Sequence, residues 1–153
     1  TGHLSLASGF EWIGSFPALV AFAVATLVEI IGYYIPWVDH LLDVIATPVA
    51  VVAGTVAMAS SLVGMSPFLH WTLAIIAGGG VAGLIQAFTG VARLTSTATT
   101  GGIGNPVVST AEAGGSITLS LLAVIVPFVA AVIVLVILLF AVRILYKKFF
   151  QPA

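Results

Sequence analysis

From Val44 to Ala92, and again from Ala113 to Val142, no side chain carries a formal charge. Charged residues make up 6% of the chain and hydrophobic ones 61%, against about 25% charged in an ordinary soluble domain. Such a chain is an integral membrane protein. Crossing ~30 Å of hydrocarbon takes about 20 helical residues at 1.5 Å each, and four apolar stretches meet that need. The expected fold is an all-α polytopic membrane bundle, one domain over residues 1–153. The bilayer is its first partner, and a net charge of −1 gives no reason to expect nucleic acid. Without cysteine there is neither a disulfide framework nor thiolate chemistry. The opening TGHLSLASGFEWIGS has no Lys or Arg, so it does not read as a targeting segment.

Turn residues place the four spans. Ser15 and Pro17 have N-cap and first-turn chemistry for a helix over about 16–34, which Gly32, Tyr33, Tyr34 and Pro36 close at interfacial level. A second helix runs over about 37–65 with Pro48 inside it, and a kink is expected there. Ser66-Pro67 turns the chain into a third helix over about 70–94, rich in glycine. Gly79 and Gly83 form a small-xxx-small pair. At 100° per residue Gly79, Gln86 and Arg93 share a face with them, which Gly90 extends as a packing stripe. Arg93 is thus expected to point into protein. The last helix is read over about 116–145. Arg143, Lys147 and Lys148 follow its apolar run, and the enrichment of cytoplasmic flanks in Lys and Arg predicts a cytoplasmic C-terminus of a cell-membrane protein.

Apart from Glu11, every acidic residue falls at one of two connections, and Arg93 is the lone base outside the C-terminal tail. Parity puts these connections, first-to-second and third-to-fourth helix, on one membrane face. Glu29, Asp39, His40, Asp43 and Arg93 are therefore expected to line one polar vestibule. Asp39 and Asp43, four apart, also suit the positive end of a helix dipole. His40 beside them lacks a fourth ligand, so no metal site is assigned. Glu29 in hydrocarbon needs a partner or a proton, and pairing of Arg93 with Glu29 or Asp43 is the simplest structural account. His3 and His70 read as interfacial.

The stretch STATTGGIGNP, followed by Ser109-x-x-Glu112, reads as a glycine-rich, re-entrant loop over about 95–115. Gly101, Gly102 and Gly104 permit positive φ, Asn105-Pro106 has N-cap and N1 chemistry, and Ser109 with Glu112 matches a capping box. Gly114-Gly115 would then separate this short element from the last span. Backbone amides of such a turn, with Thr99, Thr100, Gly101, Gly102, Gly104 and Asn105 as the loop, have the physics of an anion site. No lysine follows the glycines, so it is no Walker motif.

Two segments, E-x6-P-x2-D-H-x2-D-x3-TP (Glu29, Pro36, Asp39, His40, Asp43, Thr47, Pro48) and STATTGGIGNP (Ser96 to Pro106), resemble the signatures of the domain-of-unknown-function 4126 family of bacterial integral membrane proteins. The likeness spans about residues 10–147. It implies a membrane bundle, and one further apolar segment ahead of the position of Thr1, but no activity and no cofactor.

Two functional classes follow. One is transport or binding of a small ion, an anionic solute or a lipid headgroup in the vestibule, where broken helices line polar cavities. The alternative is a non-catalytic accessory subunit of a homo-oligomer or larger membrane complex, joined through the small-residue stripe. No Ser–His–acid order and no metal-hydrolase motif occurs, so an enzyme is not expected.

Overall fold

Residues 5–150 are described by a computed structural model, with the side chains of Pro36, Trp37, Asp39, His40 and Asp43 outside the described set. The described chain is all helical, and its helices are long and apolar enough to cross a membrane at 44–61, 67–100, 105–125 and 127–150, with a shorter apolar helix at Phe16–Gly32. It divides into two compact units, Thr1–Gly83 and Leu84–Ala153.

In the first unit a short 3-10 helix, Glu11–Gly14, precedes α1 (Phe16–Gly32), α2 (Pro36–Ser61) and α3 (Pro67–Leu73). Ser15 caps α1 by accepting from the Ala18 amide at 3.4 Å. Pro36 and Pro67 stand in the first turns of α2 and α3, where a missing N–H costs nothing. The helix α2 carries Pro48 within it and ends at Ser61, short of the expected 65. Beyond α3 the backbone widens into a π segment, Ala74–Gly80, before α4 (Val81–Thr100) resumes the ordinary helix. Such widening commonly marks a local constraint, and a close approach to α2 supplies one. A Cβ on Gly54 would lie 2.6 Å from the Gly78 carbonyl oxygen, and one on Gly78 would strike the Gly54 carbonyl. Gly79 packs on Val51 and the Thr55 hydroxyl, and Gly83 on Val51.

The second unit holds the rest of α4, α5 (Asn105–Ile125) and α6 (Pro127–Phe150). The reading of one last span over 116–145 is corrected here, because the chain breaks at Val126, with φ −137° and ψ 72°. The residue before proline is steered out of the helical region, and Pro127 follows. The expected separation at Gly114-Gly115 does not occur, since α5 runs through both. Two glycines cost about 1 kcal/mol each in a helix interior, less than leaving backbone groups unbonded in lipid.

The break redirects the chain. The rings of Phe88 on α4 and Phe140 on α6 meet edge to face with centroids 6.3 Å apart. Phe88 lies about 18 Å along α4 from Thr100, whereas α6 continuing straight from α5 would carry Phe140 about 50 Å from that end. The contact requires α6 to bend back sharply at Val126.

Burial follows membrane logic. The buried apolar residues among those described are Ala7, Ala18, Ala59, Ala74, Ala130 and Ala141, while Phe16, Phe68, Val124 and Phe128 are widely exposed. Small residues bring backbones together and large apolar ones face lipid.

Candidate functional site

The polar residues of the second unit concentrate in the α4–α5 hairpin. On α4, Arg93, Ser96, Thr97 and Thr100 follow one another at helical spacing of three, one and three. On α5, Asn105, Ser109 and Glu112 stand four and three apart. Each set forms one stripe, and the hairpin brings the stripes together.

The connection is a tight turn, not the re-entrant loop expected over 95–115. The helix α4 runs to Thr100, and Gly101 and Gly102 take φ of 64° and 90°, values that end a helix at little cost only for glycine. The Thr100 hydroxyl donates to the Ser96 carbonyl at 2.7 Å and accepts from the Gly104 amide at 3.0 Å. A side chain at Gly104 would sit 2.5 Å from Ser96 Oγ. Asn105 begins α5, but its side chain does not cap the helix. It crosses to α4 instead, its Nδ2 donating to Thr97 Oγ1 at 3.2 Å.

One turn deeper, Ser109 donates to the Asn105 carbonyl at 3.1 Å, a bond inside a running helix. The capping-box reading of Ser109 and Glu112 is thereby corrected, since no helix starts there. Glu112 is used across the hairpin. Arg93 Nη2 donates to Glu112 Oε2 at 2.6 Å, with Arg93 3% exposed and the Glu112 side chain 26%. Both lie seven residues from the hairpin end of their helices, about 10 Å along the axis. Buried pairs stabilise only when their remaining hydrogen-bonding capacity is met. Here Glu112 Oε1 and Ser96 Oγ, both buried, have no partner among the described residues.

Four of the backbone amides read as an anion site are engaged within the turn itself. The Gly101 amide donates to Thr97 O, Ile103 to Thr100 O, Gly104 to Thr100 Oγ1 and Asn105 to Gly102 O. Thr99 turns its hydroxyl back to the Thr95 carbonyl at 2.8 Å. Spent internally, these donors cannot converge on an anion.

The remaining predicted residues are distributed as follows. Glu29, near the end of α1, is exposed and accepts from the Tyr33 hydroxyl at 3.0 Å. Asp39, His40 and Asp43 fall in the first two turns of α2, and the roles read for their side chains lie outside the described residues. Of the packing stripe, Gly79 and Gly83 contact α2, Gln86 is half-buried, and Gly90 has nothing within 4 Å of a Cβ position. His70 stacks near Phe10 and meets Trp71 edge to face. Sequence reasoning overlooked Gly54 on α2, although Ala46, Ala50 and Gly54 repeat small residues every four positions. It also assigned Glu112 a purely local role. The seven-residue symmetry of Arg93 and Glu112 about the glycine turn was the available signal.

Helices of this length and apolarity, with alanines buried and a part-buried ion pair between two of them, define a polytopic α-helical membrane protein. The chain belongs to the family described as Domain of unknown function (DUF4126), whose model matches residues 1–147. No curated protein and no solved structure matches it.

Proposed function

We propose that the protein binds, and passes across the cell membrane, a small anion whose seat is Arg93 in the α4–α5 hairpin. The observation that carries this reading is the burial of Arg93. A guanidinium at membrane depth costs about 2.5–3.5 kcal/mol even on the lenient insertion scales, and intramembrane cations usually mark solute pathways. Between the turn and Arg93 the buried Ser96 hydroxyl has no partner among the described residues and supplies a donor to the anion, while the hydroxyls of Thr100 and Ser109 are engaged by backbone carbonyls.

The break at Val126 supports a reading of the side from which the anion enters. With α5 and α6 as separate crossings, the 101–104 turn and the end of α6 lie on one face. Arg93, Arg143, Lys147 and Lys148 then fall toward that face together, which removes the exception that Arg93 makes to the positive-inside rule in a four-span count. We place this face, and the mouth of the site, in the cytoplasm.

The test is uptake of chloride, inorganic phosphate and acetate into proteoliposomes, with protein-free liposomes giving the leak. Uptake of at least one above leak, reduced at least about tenfold by Arg93→Gln, is expected. Uptake at the leak rate for all three contradicts transport.

A further inference from the structure

The helix α2 presents two different faces to its surroundings. Val51, Gly54 and Thr55 take the close packing against Gly78 and Gly79. Counting by fours from Pro48, residues Val52, Val56 and Ser60 share another side. With Trp12 and Ile13 of the 3-10 helix and Phe22 of α1, that side bounds a groove of about 560 Å³. Its lining is apolar except for Ser60, whose hydroxyl is returned to the Ala57 carbonyl at 2.8 Å. The chain itself fixes the outer end. The Ala7 amide donates to the Ser60 carbonyl at 2.8 Å, holding the segment that carries Trp12 against the end of α2, and the rings of Trp12 and Phe22 meet with centroids 6.2 Å apart.

Dimensions decide between occupants. From Pro48 to Ser60 the groove runs about 18 Å along α2, close to the ~15 Å depth of one leaflet of hydrocarbon. The volume over that length leaves a cross-section of about 30 Å², whereas a helix of about 10 Å diameter needs about 80 Å². A single hydrocarbon chain fits, and a helix from a second copy does not. Charge decides the headgroup. Glu11 immediately precedes Trp12 in the 3-10 helix, is exposed, and accepts from the Gly9 amide through Oε2 at 2.8 Å. A carboxylate offers about four acceptor positions on its two oxygens, so it can take a donor from outside as well. No Lys or Arg precedes Arg93, hence neither of these cations is present in this unit to meet the net negative charge of an anionic headgroup.

We propose that this groove seats one acyl chain of a phosphatidylethanolamine, whose primary ammonium donates to Glu11. That headgroup has no net charge, so its phosphate stays in the aqueous layer without a cationic side chain. The quaternary ammonium of phosphatidylcholine carries no N–H and offers Glu11 attraction without a hydrogen bond. The site uses residues of the first unit only and stands or falls independently of Arg93.

Native mass spectrometry of the protein, carried from detergent with equimolar phosphatidylethanolamine, phosphatidylcholine and phosphatidylglycerol of the same chains, tests this. Retention of phosphatidylethanolamine at least about threefold over either competitor is expected. Glu11→Gln should keep a bound lipid but bring the ratio over phosphatidylcholine to about one. Ala53→Trp, which puts an indole into the groove, should reduce retention of all three. Retention of no lipid, equal retention of the three by the wild type, or a preference that survives Glu11→Gln overturns the proposal. So does a dimer that Ala53→Trp dissociates, which makes the groove a contact between copies. Should Ala53→Trp fail to fold, lipids with brominated chains decide on the wild type in nanodiscs. Tryptophan fluorescence quenched more by the ethanolamine than by the choline lipid, with the excess lost in Trp12→Phe, is expected, and equal quenching overturns the site.

Discussion

Arg93 is the residue whose surroundings say most about its chemistry, and its inward direction was legible from helical spacing with Gly79 and Gln86. Its contact with Glu112 was not. Ser109-x-x-Glu112 offered a local explanation, and local explanations hide cross-helix ones when the helix boundaries are unknown. Gly104 is the residue-scale counterpart at the turn. A Cβ there would meet Ser96 Oγ at 2.5 Å, so Gly104→Ala should lower stability by about 1–3 kcal/mol. Ser96→Ala in the same chain should recover part of the loss. Thermal unfolding in detergent measures both, and an additive double variant would contradict the contact. Gly54→Ala should be worse than Gly104→Ala, because the atom it meets is the Gly78 backbone oxygen at 2.6 Å and no rotamer change relieves it.

Among the elements, the starts of α1, α2 and α3 were readable because Ser15-x-Pro17, Pro36 and Ser66-Pro67 are local signals. The division of the last apolar run was not. Hydropathy is continuous through Val126, and α2 shows that a proline within such a run need not break it, so Pro127 alone did not decide. The two glycines of α5 misled in the opposite direction. With nothing within 4 Å of either Cβ position, Gly114→Ala and Gly115→Ala should each stabilise the helix by about 0.5–1 kcal/mol. The same pair of variants bears on the accessory-subunit alternative. If they destabilise the protein, or strip partner chains from it during mild-detergent purification, that face of α5 is a contact surface.

At the scale of the whole molecule, membrane character was written in composition, whereas topology depended on one residue pair, Val126-Pro127. The proposed arrangement places residue 103 in the turn and the end of α6 on the same side. Single cysteines introduced at Ile103 and at Phe150 into this cysteine-free chain should therefore react together with a membrane-impermeant maleimide added to sealed vesicles of one orientation. Labelling from opposite sides would restore the four-span count and move the mouth of the site to the other face.

The central claim is that Arg93 is an anion seat, and calorimetric titration of the purified protein in nanodiscs with acetate, chloride and phosphate tests it most directly. The account predicts saturable binding of at least one of the three to the wild type, weakened at least about tenfold in Arg93→Gln and partly retained in Arg93→Lys, which keeps the charge but loses the planar fork. Equal binding by wild type and Arg93→Gln, or binding of none of the three anions by folded wild-type protein, would contradict it.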